Sequence, residues 1–211
     1  VAGKIHGLAL AADVTDPAAA AAAIERAAAA HGHARLAVTC AGVAPAARTV
    51  DRDGAPHDPG LFGQVIGVNL MGTFHAATRA AAAMTALDPL GPDGERGVVV
   101  MTASVAAFEG QIGQLAYAAS KGAVAAMALP MARDLARAGV RAVAIAPGLF
   151  RTPMLAGLPE ETQASLGAQV PFPARLGDPE EFAALVIAIA ENPMLNGTTI
   201  RLDGAIRMAP R

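Results

Sequence analysis

The chain has 211 residues, of which 54% are hydrophobic, and a net charge of −2. This length fits one domain with a sizeable core, and the balanced charge argues against a nucleic-acid surface that works by neutralising phosphates. A single cysteine, Cys40, excludes a disulfide within the chain and fits a reducing compartment. Gly, Pro and charged residues interrupt the apolar runs and no secretory signal opens the sequence, so we expect no membrane partner and a cytoplasmic location.

Short apolar segments that read as strands alternate with longer segments that read as helices. In chain order the predicted strands are 7–12, 36–40, 98–102, 141–146 and 198–202, and the predicted helices are 18–30, 62–86, 114–138 and 179–191. Asp16-Pro17 and Asp178-Pro179 are helix-start signals, each an N-cap residue followed by proline at the first helical position. Strands separated by helical crossovers predict a doubly wound α/β fold, in which helices cover both faces of a parallel sheet.

Small and polar residues follow several of the predicted strands. They are Asp13, Cys40-Ala41-Gly42, Ser104 and Pro147-Gly148. Ligands of open parallel sheets bind at the carboxyl ends of the strands. We therefore expect the functional site at this edge of the sheet.

The only tyrosine, Tyr117, stands four residues before Lys121, on a predicted helix. Residues i and i+4 of a helix share one face. A free tyrosine, with a pKa of ~10, is a poor base at neutral pH. One ammonium ~4 Å away supplies ~4 kcal/mol at an effective dielectric of ~20, enough to lower that pKa by ~3 units. The pair is a candidate acid/base, and the alternative is a half-buried core tyrosine beside a solvated lysine.

Several longer stretches carry a resemblance to a known family. They are T-A-S-V-A-A-F-E-G-Q-I-G-Q from Thr102, I-A-P-G-L-F from Ile145, Q-V-P-F-P-A-R-L-G-D-P from Gln169, E-N-P-M-L-N-G from Glu191 and I-R-L-D-G-A-I-R-M from Ile200. The sequence resembles the classical short-chain dehydrogenase/reductase family from about Gly7 to its C-terminus. Within that family it is most similar to the 17β-hydroxysteroid dehydrogenase type 10, or type II 3-hydroxyacyl-CoA dehydrogenase, group.

The resemblance implies a single domain over 1–211 with a three-layer, Rossmann-like doubly wound sheet. It implies an oxidoreductase that moves a hydride between a nicotinamide cofactor and a secondary alcohol or ketone, with 3-hydroxyacyl-CoA or hydroxysteroid-like substrates. The subgroup implies NAD, while NADP stays open because the residue that normally reads the ribose has no counterpart in this sequence. A homotetramer is the family's habit.

The family's catalytic roles map onto four residues. Tyr117 resembles the general acid/base, and Lys121 resembles the residue that lowers the tyrosine pKa and hydrogen-bonds the nicotinamide ribose. Ser104 resembles the residue that holds the substrate oxygen and stabilises its developing charge. Asn69 matches the residue that anchors a water for proton relay, and Gln111 is a further expected substrate contact.

The resemblance also implies three cofactor-binding segments. Asp13 and Val14 match the pair that contacts adenine, and Cys40-Ala41-Gly42 stands where the family usually has Asn-Ala-Gly. The loop that embraces the nicotinamide end corresponds to Pro147, Gly148, Phe150 and Thr152.

The family's glycine-rich phosphate loop, T-G-x-x-x-G-x-G, has no counterpart in this sequence. Against a family domain of about 250–260 residues, roughly fifty residues are missing at the N-terminus. Either such a segment precedes Val1, or the protein is truly short. The first explanation is favoured, because a true deletion would expose a long apolar strand edge, which proteins avoid.

A catalytically silent scaffold subunit is the alternative function, since the phosphate loop is missing. Other sites are disfavoured. His31 and His33 lack further residues at metal-ligand spacing, so no metal is expected. Cys40 lacks a histidine partner at a defining spacing, and no G-x-S-x-G hydrolase motif occurs.

Overall fold

The computed structural model describes residues 2–152, 155, 157 and 159–210. Its helices and strands, in chain order, are α1 (Pro17–His31), β1 (Leu36–Thr39), α2 (Pro59–Ile66), α3 (Gly72–Thr85), β2 (Gly97–Thr102), α4 (Leu115–Leu135), β3 (Val140–Pro147), α5 (Glu160–Ala168), α6 (Pro179–Glu191) and β4 (Thr199–Leu202). A π-helical turn, Gly67–Met71, joins α2 to α3, and short 3₁₀ turns lie at Ala2–Lys4, Val105–Ala107 and Ala136–Ala138.

The strands form one parallel sheet in the order β1-β2-β3-β4. Successive strands are neighbours, and helical crossovers return the chain to the same end of the sheet. The carboxyl ends of all strands therefore lie along one edge. The segments that follow β1, β2 and β3 meet there.

Helices cover both faces of this sheet, so the prediction of a three-layer doubly wound fold is confirmed. Alternate residues of β2 enter two separate cores, because successive side chains of a strand point to opposite faces. Val99 and Met101 pack in the core beneath α3 and α4, whereas Val98 and Val100 pack in the core beneath α6. A strand buried on both faces is uniformly apolar, as in G-V-V-V-M-T.

The predicted helix starts are confirmed in outline. The Asp16 side chain accepts a hydrogen bond from the Ala18 N–H at the start of α1, and Asp178 forms a capping box with Glu181 at the start of α6. The predicted helix 62–86 begins earlier, because Asp58 and Pro59 supply the same start signal to α2.

The predicted strand 7–12 is wrong. Residues 7–12 have no regular secondary structure, and all but Leu10 are exposed. A strand forms only where a neighbouring strand exchanges hydrogen bonds with it. Among the described residues the sheet ends at β1, and none of its strands exchanges hydrogen bonds with this apolar run.

Helix α4 presents the site. With the following 3₁₀ turn it runs over Leu115–Ala138, and it is long and apolar enough to span a membrane by length and composition alone. Its packing accounts for this hydropathy, since Val124, Ala128 and Ala132 are buried in the core. Pro130 lies inside this helix.

Candidate active site

Tyr117 and Ser104 are the two hydroxyl-bearing residues that the carboxyl end of β2 and the start of α4 bring together. Ser104 ends the segment after β2, and its Oγ accepts a hydrogen bond of 3.1 Å from the Ala106 N–H. Its own proton is therefore available for the Tyr117 phenol, with which it hydrogen-bonds. Burial raises the pKa of Tyr117 above its ordinary value, and the Ser104 hydrogen bond opposes this shift.

This direction is opposite to the lowered tyrosine pKa expected from Lys121. The Lys121 ammonium lies 5.9 Å from the centroid of the Tyr117 ring, and burial of the phenol is the largest cause of the raised pKa. The phenol is accordingly a neutral proton donor at neutral pH.

Lys121 is buried, with an exposed fraction of 5%. Burial lowers the pKa of its ammonium from 10.5 to about 8, and the nearby Cys40 thiol acts in the opposite direction. Nζ donates a hydrogen bond of 2.7 Å to the Thr102 carbonyl. An ammonium has three donors, so two further N–H groups can serve a bound ligand.

Asn69 lies in the π-helical turn Gly67–Met71 and is fully buried. Its Oδ1 accepts a hydrogen bond of 2.8 Å from the Val43 N–H, and its Nδ2 donates to the Val43 carbonyl at 2.9 Å and to Ser120 Oγ at 3.0 Å. Ser120 Oγ in turn donates to the Tyr117 carbonyl at 2.7 Å. Asn69 therefore links the loop after β1 to the helix turn that carries Tyr117 and Lys121.

Cys40, Ala41 and Gly42 follow β1 directly and reach the same place. Cys40 Sγ lies 3.7 Å from Thr102 Oγ1. A Cβ added to Gly42 would stand 3.2 Å from Asn69 Oδ1 and 3.7 Å from Lys121 Nζ. Glycine thus lets the backbone pass close to both groups. A buried ammonium that has spare donors fits the hydroxyl groups of a nucleotide cofactor.

Asp13 and Val14 form a tight turn against the start of α3. Asp13 Oδ1 accepts hydrogen bonds from the Thr15 N–H at 2.9 Å and Thr15 Oγ1 at 2.8 Å, which lower the pKa of Asp13. Val14 packs on Gly72, where any Cβ would approach Val14 Cγ2 to 2.6 Å. Asp13 and Val14 therefore lie beside α3, which begins three residues after Asn69.

The segment after β3 is held by backbone hydrogen bonds. The Gly148 N–H donates to the Leu202 carbonyl at 2.9 Å. The Phe150 ring packs against Gly177, which has no room for a side chain. Thr152 is exposed at the end of this segment. Phe150 is thus engaged in packing, and Pro147 and Gly148 offer backbone at the sheet edge.

Gln111, the further expected substrate contact, makes hydrogen bonds to two other parts of the chain. Its Nε2 donates a hydrogen bond of 3.0 Å to the Ala209 carbonyl, and its backbone N–H donates to Gln114 Oε1 at 3.0 Å. The side chain therefore connects the loop before α4 to the C-terminal residues.

Sequence reasoning missed three participants: Ser120, Val43 and the Thr102 carbonyl. Ser120 had a detectable signal, because a serine three residues after Tyr117 on a helix can donate to its carbonyl. The backbone groups of Val43 and Thr102 carry no signal in residue type. The π-helical turn around Asn69 was also missed, although such turns concentrate at functional sites.

The parallel sheet with a Ser, Tyr, Lys and Asn cluster at its carboxyl edge defines a class of protein. The family model described as short chain dehydrogenase matches residues 2–163. The chain belongs to the short-chain dehydrogenase family, and it is a nicotinamide-dependent oxidoreductase that acts on a small-molecule substrate.

Two relatives and one solved structure indicate the group within that family to which the chain is similar. The chain is 56% identical over 180 residues to human 3-hydroxyacyl-CoA dehydrogenase type-2, covering 85% of this chain and 69% of that protein. It is 52% identical over 199 residues to the Drosophila melanogaster protein of the same name, covering 94% and 78%. A crystal structure of 3-hydroxyacyl-CoA dehydrogenase type-2 from Mycobacterium avium superposes with a TM-score of 0.89 at 43% identity, covering 95% of this chain and 77% of that one. Neither these comparisons nor the site support the alternative of a silent scaffold.

Proposed function

We propose that the protein interconverts a 3-hydroxyacyl thioester and the corresponding 3-oxoacyl thioester, with acyl-CoA as the thioester and NAD as the cofactor. The observation that carries this proposal is the hydrogen-bonded Ser104–Tyr117 pair, with the buried Lys121 ammonium 5.9 Å from the phenol ring. The names of the similar proteins support the substrate class.

In the reducing direction Tyr117 donates its phenol proton to the substrate's carbonyl oxygen. When bound, the nicotinamide cofactor supplies or accepts the hydride. Ser104 donates a hydrogen bond to the same oxygen and stabilises the negative charge that develops on it. In the oxidising direction the Tyr117 oxygen takes the proton of the substrate alcohol. The raised pKa of Tyr117 makes the proton-donating role the easier one at neutral pH.

Lys121 and Asn69 complete the proposed machinery. The Lys121 ammonium, held by the Thr102 carbonyl, would hydrogen-bond ribose hydroxyl groups of the cofactor and stabilise the Tyr117 phenolate. Asn69 would keep the loop after β1 and the Tyr117 turn at a fixed separation, through Val43 and Ser120. Cys40-Ala41-Gly42, Asp13-Val14 and Pro147-Gly148 would line the cofactor.

The test is NADH consumption with acetoacetyl-CoA by the wild-type protein and by Tyr117→Phe. Phenylalanine keeps the ring and removes the transferable proton, so the rate should fall by about 10²-fold or more. Equal rates in the two proteins would remove Tyr117 from the chemistry. A Ser165→Ala variant, on α5 and outside the site, is the matched control for loss of one hydroxyl.

Two finer points belong to the same proposal. Parallel assays with NADH and NADPH test the choice of NAD, since a preference for NADPH would contradict it. We also propose the homotetramer typical of the family. Sedimentation should give four times the mass of one protomer, and a monomer would contradict it.

A further inference from the structure

The loop that joins Ser104 to Tyr117 is tied to the C-terminal tail, defined as residues 203–210. We infer that Glu109, through its ion pair with Arg201, is a positioning residue that holds this loop and so fixes Ser104 relative to Tyr117. This inference rests on the proposed function for the identity of the reaction. It assigns Glu109 no contact with substrate or cofactor.

The ion pair is bidentate and partly sheltered. Arg201 Nη1 donates to Glu109 Oε1 at 2.8 Å and Nη2 donates to Oε2 at 3.1 Å, while the side chains are 24% and 20% exposed. Arg201 Nε also donates to Asp203 Oδ2 at 2.7 Å, and its guanidinium lies 5.5 Å from the centroid of the Phe108 ring. Because Glu109 and Asp203 bind different edges of its guanidinium, Arg201 is held in one orientation. It is therefore a rigid attachment point for the loop.

The tail is attached to the same loop by three further hydrogen bonds. The Met208 N–H donates to Glu109 Oε2 at 3.1 Å. Gln111 Nε2 donates to the Ala209 carbonyl at 3.0 Å, and the Ile112 N–H donates to the Pro210 carbonyl at 3.0 Å. Together with the ion pair, these contacts fasten most of the loop to the end of the chain.

The connection to catalysis follows from chain distance. Glu109 lies two residues after the 3₁₀ turn that Ser104 caps, and Ile112 lies three residues before α4, which carries Tyr117 in its first turn. Movement of the loop therefore changes the Ser104–Tyr117 separation and lets water reach the phenol. Small displacements of reacting groups cost large factors in rate.

The test compares Glu109→Gln with Glu95→Gln. Both variants replace one carboxylate of a Glu–Arg pair, since Glu95 pairs with Arg141 at 2.7 Å near the amino end of β2. We measure kcat and KM with acetoacetyl-CoA and NADH, and we titrate Tyr117 through the near-ultraviolet absorbance of its phenolate. The titration reports one residue, because the chain has one tyrosine and no tryptophan.

For Glu109→Gln we expect kcat to fall about tenfold and the Tyr117 midpoint to move down toward ~10 as the phenol becomes hydrated. For Glu95→Gln we expect a lower stability with kcat and the Tyr117 midpoint unchanged. A folded Glu109→Gln protein with the wild-type kcat and midpoint would overturn the inference. Equal effects of the two variants would overturn it as well, because they would show a general loss of stability.

Arg201→Lys decides the matter if Glu109→Gln does not fold, because lysine keeps the positive charge but cannot make the bidentate contact with Glu109. A lower kcat and a lower Tyr117 midpoint support the inference, and wild-type values overturn it. If the wild-type protein does not reduce acetoacetyl-CoA, the proposed function fails. The Tyr117 titration of each variant still tests the positioning role on its own.

Discussion

Replacing Lys121 by methionine should abolish activity and make the protein more stable at neutral pH. Methionine matches the length and volume of the lysine stem and carries no charge. The structure buries the ammonium to 5% exposure, and burial lowers its pKa from 10.5 to about 8. The charged lysine therefore opposes folding at neutral pH.

The size of this effect follows from the two pKa values. A pKa that falls from 10.5 to about 8 corresponds to about 3 kcal/mol of folding free energy lost at neutral pH. The substitution also leaves the Thr102 carbonyl without the Nζ donor, which costs about 1 kcal/mol or somewhat more. We expect Lys121→Met to raise the free energy of unfolding by about 1–2 kcal/mol.

The pH dependence of the stability difference between the two proteins tests this reasoning. The unfolded chain keeps the lysine proton up to 10.5, whereas the folded chain releases it at about 8. Between these values the unfolded state binds more protons, so the stability contributed by Lys121 rises with pH. The advantage of Lys121→Met should therefore shrink between about pH 8 and pH 10.5.

Urea unfolding of both proteins at about pH 7 and about pH 10 measures the difference. Contributions of groups that do not interact with Lys121 are common to both proteins and cancel in the comparison. A Lys121→Met protein that is less stable than wild type at neutral pH, or a difference that does not change with pH, would refute the reasoning.

Three further outcomes are expected. Because burial raises the pKa of Tyr117, alcohol oxidation should accelerate as pH rises toward that pKa and ketone reduction should slow. Steady-state rates measured against pH in both directions test this. Rates that change in the same way with pH in both directions would contradict it. Gly42→Ala places a Cβ 3.2 Å from Asn69 Oδ1, so the Kd for NADH, measured by calorimetry, should rise about tenfold. Gly63→Ala is the control, because nothing lies within 4 Å of its added Cβ, and it should leave the Kd unchanged. Asp178→Ala removes the capping box of α6 and should lower the free energy of unfolding by about 1 kcal/mol; an unchanged urea midpoint would show that the cap contributes nothing.

The architecture was predictable because strands that are buried on both faces of the sheet consist mainly of apolar residues. β2 is a largely apolar run and β3 is apolar apart from Arg141. The proline-capped starts of α1 and α6 stand where the sequence predicted them. Residues 7–12 are similarly apolar but form no strand. Residue type indicates that a segment suits a sheet, whereas strand formation also requires a neighbour with free backbone groups.

The site was predictable in position and not in electrostatics. The spacing of Tyr117 and Lys121 placed both groups at the end of β2, near Ser104. The direction of the Tyr117 pKa shift depends on how deeply the phenol is buried and on its hydrogen bond with Ser104. Both are set by packing between elements that are distant in sequence. The hydrogen bonds of Asn69 to Val43 and Ser120 depend on a local π-helical turn that propensity does not encode.

The packing of α4 explains why Lys121 stays buried although solvation would relieve it. Val124 and Ala128 follow Lys121 on the same face of the helix and are almost completely buried in the core. Rotation of α4 that carried the ammonium to water would expose both side chains. Burying one valine contributes about 1.5–3 kcal/mol, and the alanine adds to this. That sum is comparable to the cost of about 3 kcal/mol for the lowered pKa, so the core face of α4 is sufficient to hold Lys121 beside Tyr117.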